Sequence, residues 1–392
     1  MISGWVHPDF HGAVDVLRGQ IARNGGGAAL AIVHRGEVVA DVWGGVRDDA
    51  GAPWTRDTLA LSFSTTKGVA STLLHVLASQ GRLDYDAPVS RYWPAFAHGG
   101  KHDVTVRDLL AHEAGLWPIR DLVDDASDMR DWGAMLERVE RARPVHAPGA
   151  RNGYHGLTFS WLVGGLIEKV TGKPFARALD EELAGPLSLD GCFVGLPAHC
   201  ISRRATLLGM GTTRSRRPRR KPAGERFADV AWRTAHRLAR SDPENLKRAL
   251  LPRGIRRFDW NALETLQACI PAATGMFTAR ALARMYAALA EGGALGAVRL
   301  LSSSVVEQAA TVQNRRFDDV LLFPAHWRLG YHRVASFPRG FGHFGFGGSG
   351  AWCDPSRRLA VAMTLNSGVG TPLGDLRMWQ VNRAILRALS RR

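Results

Sequence analysis

Cysteine is scarce in this chain. Four of the 392 residues are cysteine (Cys192, Cys200, Cys269 and Cys353), and none belongs to a C-x-x-C pair. That excludes a disulfide framework and makes a reducing compartment the expectation. Acidic residues are in deficit too, 36 against 51 Lys+Arg, for a formal charge of +15. No uninterrupted apolar run reaches the ~18 residues a membrane-spanning helix needs. The opening stretch, Met1 to Phe10, has no basic cluster followed by an apolar run, so no secretory leader is recognisable and a cytoplasmic protein is expected. No internal repeat is found. What the chain does have is 45% apolar residues over a length that suggests two or three domain equivalents. Such a composition excludes disorder, collagen-like repeats and mini-protein scaffolds.

The basic excess is local. Between residues 201 and 260 there are 17 Lys and Arg against five acids, while the other 332 residues hold 34 basic and 31 acidic side chains and are nearly balanced. The excess centres on Arg214-Ser-Arg-Arg-Pro-Arg-Arg-Lys221. Six positive side chains in eight residues repel one another and resist burial, so the run is read as a solvated insertion. It has no aromatic interleaving to stack bases, and no nucleic-acid fold motif accompanies it, so a nucleic-acid partner is not expected. Peripheral contact with an acidic surface stays open.

Apolar periodicity sets the organisation. Ala28–Val33 and Val38–Trp43 flank His34-Arg-Gly-Glu37 and predict a β-hairpin. From Ser64, Val69, Leu73, Val76 and Leu77 recur at helical spacing up to Gly81. Trp327–Val334, Gly340–Phe344, Gly350–Cys353 and Leu359–Leu365 are strand-like, and an amphipathic helix follows from about Leu373. These elements predict an α/β (α+β) fold, an antiparallel sheet flanked by helices. Residues 1–82 and 272–392 would form one discontinuous sheet domain. Residues 83–271 would form an inserted, mostly helical domain carrying the basic loop.

Ser64-Thr-Thr-Lys67 is the first chemical candidate. A serine at a helix N-terminus meets unpaired N–H groups and the positive end of the macrodipole, both of which stabilise a developing anion. A lysine three residues on shares its face and accepts the serine proton if burial lowers its pKa. With 20 serines and six lysines, chance alone supplies roughly 0.3 such pairs, and the plain alternative is an N-cap serine beside a surface lysine. Two further motifs follow in order: Gly149-Ala-Arg-Asn-Gly-Tyr-His-Gly156 before an apolar helix, and Gly342-His-Phe-Gly-Phe-Gly-Gly-Ser-Gly350 among the late strands.

Together these motifs resemble the serine β-lactamase and penicillin-binding-protein superfamily and, within it, the class C-like esterases (family VIII-type carboxylesterases). Segments 81–89, 104–116 and 271–283 support the resemblance, which spans roughly residues 20 to 390 and is poorest over 201–260. It implies a β-lactamase-like fold, Ser64 as nucleophile, Lys67 as its base and Tyr154 as the tyrosine of the second motif. It also implies an oxyanion hole from the backbone N–H groups of Ser64 and Phe346, with His343 and Gly345 in the substrate-binding third motif. Which of Lys67 and Tyr154 takes the first proton stays open, as a coupled pair.

Two departures bear on substrate. Tyr154-His155-Gly156 lacks the Asn that β-lactamases and peptidoglycan peptidases carry two residues after Tyr, and His343 replaces the Lys that clamps a β-lactam or peptide carboxylate. The expected substrate is therefore a small-molecule carboxylic ester, cleaved without cofactor or metal. A β-lactamase, a D-amino-peptide hydrolase, an acyltransferase and a non-catalytic binding protein using residues 214–221 are the alternatives. The resemblance leaves the oligomeric state undefined.

Rival motifs are weaker. Gly347-Gly-Ser-Gly-Ala351 ends in Ala where a nucleophile elbow needs Gly. His112-Glu-Ala-Gly lacks the second histidine of a zinc helix, so no metal is expected. His112 and His155 are read as structural, Cys353 as a buried strand residue, and Phe63 and Trp117 as either acyl-pocket or core residues.

Overall fold

The computed structural model describes residues 1–209, 242, 244–367 and 376–390. The basic run Arg214–Lys221 and the expected start of the last helix at Leu373 lie outside the described residues.

In chain order the strands are β1 (Ile2–Val6), β2 (Gly27–His34), β3 (Glu37–Gly45), β4 (Ala60–Leu61), β5 (Cys192–Val194), β6 (Gly275–Phe277), β7 (Ala294–Leu295), β8 (Val298–Arg299), β9 (His332–Val334), β10 (Phe337–Phe344), β11 (Gly350–Asp354) and β12 (Leu359–Leu365). Seven of them form one antiparallel sheet in the order β1-β3-β2-β12-β11-β10-β9. The chain's two ends thus meet at its centre, where β2 pairs with β12. The predicted hairpin is tighter than expected, since β2 and β3 run on to His34 and Glu37 and leave a two-residue Arg35-Gly36 loop.

Side-chain size differs between the two faces of the central strands. Leu30, Ile32, Val361 and Met363 point to one face and pack with the helices His11–Asn24 and Leu376–Leu389. Each such fully buried side chain contributes about 1.5–3 kcal/mol. The alternate residues, Ala29, Ala31, Ala360 and Ala362, face the alanine-rich Ala279–Ala290 helix. Period-two alternation produces this division, and the small side chains let that helix lie close to the sheet.

Beside the large sheet, β4, β6 and β5 form a smaller one in the order β4-β6-β5. Pairing of Leu61 with Met276 fixes β4 three residues before Ser64, and the Ser62 N–H donates to the Gly275 carbonyl at 2.9 Å. Phe63 then adopts φ +44°, a left-handed conformation costly for a bulky residue. This sharp turn ends the strand and starts the Thr65–Ser79 helix, whose residues 65–77 are all buried. Among the described residues no helix is long and apolar enough to cross a membrane.

One expected strand is shorter than its sequence suggested. Within Trp327–Val334, the extended part is limited to β9. Arg328 donates to the Tyr331 carbonyl at 2.8 Å and Gly330 donates to Leu110 at 2.9 Å, so residues 327–331 form a turn with no sheet partner.

Candidate active site

Ser64 sits at the N-cap position of the Thr65–Ser79 helix, yet its hydroxyl makes no capping bond. Its Oγ is instead shared by two partners. Lys67 Nζ lies at 2.9 Å, and the Tyr154 hydroxyl donates to it at 2.8 Å. Lys67 is fully buried, so the plain alternative of a surface lysine does not hold. Its other contacts are the carbonyls of Gly156 at 2.7 Å and Ala272 at 3.3 Å, both acceptors. With no carboxylate among the hydrogen-bond partners of Nζ in the described residues, burial drives the pKa of the Lys67 ammonium well below its ordinary value. A neutral amine has two N–H bonds and one lone pair. In that form, N–H groups directed at the two carbonyls would leave the lone pair for the Ser64 hydroxyl.

Tyr154 is also buried, and desolvation raises its phenol well above the ordinary value. It therefore stays protonated and donates. Tyr154 O–H thus donates to Ser64 Oγ, and the Ser64 O–H would turn to Lys67 Nζ once that amine is neutral.

An apolar cleft of about 330 Å³ opens on Ser64, lined among others by Phe63, Leu250, Phe258, Trp260 and Phe346. The Phe63 ring meets Trp260 at 5.1 Å and Phe346 at 5.5 Å, both edge-on. Phe63 is thus a cleft residue. Trp117 is not; it packs in a cluster with Tyr154 and Trp327. Ser64 and Phe346 both line the cleft, and neither backbone N–H has a backbone acceptor among the described residues. Gly345 lies directly against the turn before the nucleophile, where a Cβ would come within 2.1 Å of the Ser62 carbonyl oxygen.

His343 is not among the residues lining this cleft. It lines a second cavity of about 190 Å³ behind Tyr154, with Trp327, His332 and Phe323. Its ring is buried, its Nδ1 is 3.1 Å from the Phe344 carbonyl, and its Nε2 has no protein partner among the described residues. His155 accepts from the Leu116 N–H at 3.0 Å and lies 3.2 Å, Nδ1 to Nδ1, from His112, as structural histidines do. All four cysteines are unpaired, and Cys353 is buried on β11.

The model of the Beta-lactamase family matches residues 15–384 of the chain. The chain belongs to the beta-lactamase family. Among curated relatives it is 40% identical to the esterase/beta-lactamase LipL of Mycobacterium tuberculosis over 350 residues, 88% of this chain and 78% of LipL. Two solved structures match 99% of this chain and all of their own. One is a family VIII carboxylesterase, with TM-score 0.84 and 31% identity. The other is a penicillin-binding-protein homologue from Caulobacter crescentus, with TM-score 0.85 and 32% identity.

Within this beta-lactamase fold, the missing asparagine of the second motif has a steric counterpart. A Cβ on Gly156 would lie 2.0 Å from Leu250 Cδ2. A side chain at position 156 would therefore require the end of the Leu250 side chain in the cleft wall to move aside, and the Gly156 carbonyl accepts from Lys67. Motif spacing had pointed to Ser64, Lys67, Tyr154, His343, Gly345 and Phe346. It had not pointed to Leu250, Phe258 or Trp260, which reach the site from a region with no recognisable motif, nor singled out Ala272 within the supporting segment 271–283.

Proposed function

We propose that the protein hydrolyses carboxylic esters through an acyl-enzyme on Ser64, with Lys67 as base and Tyr154 as the proton donor to the leaving group. The observation that carries this reading is the Ser64 Oγ held between Lys67 Nζ and the Tyr154 hydroxyl. As Oγ bonds to the ester carbonyl carbon, its proton passes to Lys67 and the carbonyl oxygen becomes an oxyanion. The N–H groups of Ser64 and Phe346 would receive that oxyanion, each donor lowering the barrier by about 3 kcal/mol. The C–O bond then breaks, the alcohol leaves with a proton supplied through Tyr154 from the Lys67 ammonium, and water repeats the sequence on the acyl-enzyme.

This serine carboxylesterase of the beta-lactamase-like superfamily has an apolar cleft beside its nucleophile, which supports acyl groups of alkyl or aryl character as substrates. The name of LipL joins esterase to beta-lactamase, so β-lactam cleavage is the second reading. Against it stand Gly156, where the sequence lacks the asparagine and the Leu250 side chain fills the adjoining space, and His343, set behind Tyr154 where β-lactamases have a cation. Hydrolysis of short p-nitrophenyl esters by wild type and Ser64→Ala tests the assignment, together with mass mapping of a fluorophosphonate adduct. The variant is expected to lose about 10⁴-fold or more in kcat, with the adduct on Ser64. Equal rates in the two proteins would refute the assignment, and rapid nitrocefin turnover with negligible esterase activity would favour the second reading.

A further inference from the structure

Tyr154 must present its hydroxyl to Ser64 Oγ within hydrogen-bond distance, yet nothing in its own motif fixes the ring. The anchor comes from 164 residues away in sequence. Asp318 is 1% exposed, and its Oδ1 accepts the backbone N–H of Tyr154 at 3.0 Å. The same oxygen accepts the N–H groups of Val320 and Leu321, both at 2.9 Å. Oδ2 accepts the Trp327 indole N–H at 2.9 Å and the Asn152 amide at 3.4 Å. That indole lies parallel to the Tyr154 ring, with centroids 5.4 Å apart and planes 9° from coplanar. One carboxylate therefore grips the tyrosine twice, at its backbone directly and at its ring face through Trp327. Each of the five partners is a donor, an arrangement that suits a carboxylate and leaves no acceptor for an acid proton.

We propose that Asp318 is the positioning residue for Tyr154, setting the phenol against Ser64 through the Tyr154 N–H and the Trp327 indole. The proposal rests on the reading of Tyr154 as the proton donor. An energetic contribution of this kind appears in turnover, because a displacement of about 1 Å at a proton-transfer group costs on the order of 100-fold.

The test compares wild type, Asp318→Asn and Trp327→Phe on p-nitrophenyl butyrate, with active sites counted by fluorophosphonate titration. In Asp318→Asn the amide NH₂ replaces one acceptor and faces a donor. Turnover per titrated site is expected to fall about 100-fold with KM little changed. Trp327→Phe keeps the carboxylate and its backbone bonds, so a smaller loss in the same direction is expected, and it decides the question if the Asn variant does not fold. A merely structural role would lower the number of titratable sites and leave turnover per site intact. That result, or wild-type turnover in both folded variants, overturns the proposal. The ring resonance of ¹³C-labelled Tyr154, assigned with Tyr154→Phe, is expected to shift in both variants. It is read without substrate, so it judges Asp318 separately from the esterase reading; an unmoved resonance would sink the proposal.

Discussion

Tyr154 is a wall shared by two cavities of opposite character. In front lie Ser64 and an apolar cleft lined by Phe258, Trp260 and Leu250. Behind lie His343, His332 and Trp327. Titratable groups occur on both sides, and burial acts on them in the same sense but with different results. It pushes the Lys67 ammonium toward the neutral amine, the form that the proposed base role requires. It also lowers the histidines, His332 to about 4 and His155 to about 3, with His112 and His343 well below the ordinary value. Burial biases those rings toward the neutral form, away from a proton change at physiological pH. Desolvation thus creates chemistry where a hydroxyl stands within reach, and silence where only rings and carbonyls do.

The largest way to break this contrast is to remove the front base. Lys67→Ala is expected to lower kcat by about 10³–10⁴, measured by stopped assays of ester hydrolysis. In the wild type, kcat/KM should rise with pH on its acid side as the buried ammonium loses its proton, with the limb well below 10.5. A His343→Gln variant should leave that acid limb where it is. Stability follows the same sign. Between the lowered folded value and 10.5 the unfolded chain binds the proton that the folded one does not, so the Lys67 contribution makes unfolding harder as pH rises through that window. Denaturant titrations of wild type and Lys67→Met across that window would measure the slope.

A smaller effect is expected from restoring the missing asparagine. Gly156→Asn drives a side chain into Leu250 and should destabilise the fold by about 1–3 kcal/mol; Gly156→Asn with Leu250→Ala should recover part of it. Recovery of stability accompanied by nitrocefin turnover would show that this one contact separates the two substrate classes. The smallest effect concerns the front wall alone. Trp260→Ala should improve long-chain over short-chain p-nitrophenyl esters by about tenfold in relative kcat/KM. Substitutions behind Tyr154 should slow all chain lengths alike.

These contrasts explain how much was legible in the sequence. Ser64, Lys67 and Tyr154 are separated by short fixed spacings from helix starts and glycines, so they leave a local signature. The sheet strands did likewise, through alternation at Ala28–Val33 and Leu359–Leu365. Asp318 and Trp327 leave none, because their roles depend on backbone donors that a spacing pattern does not encode. The segment after Trp327 was misread as a strand for a related reason: its apolar residues alternate, but its N–H groups serve a turn. Gly156 was visible as a departure from the family pattern. The cause, Leu250, lies 94 residues on, where no motif points to it.

The shell around Lys67 has a consequence for how activity emerges during folding. The amine is held by Gly156 and Ala272, 89 and 205 residues away in sequence, while its own helix is a local structure. Helices form early and long-range closures late. A refolding chain should therefore regain far-ultraviolet circular dichroism before it regains a fluorophosphonate-reactive Ser64, and the interval between the two signals would time the arrival of those distant carbonyls.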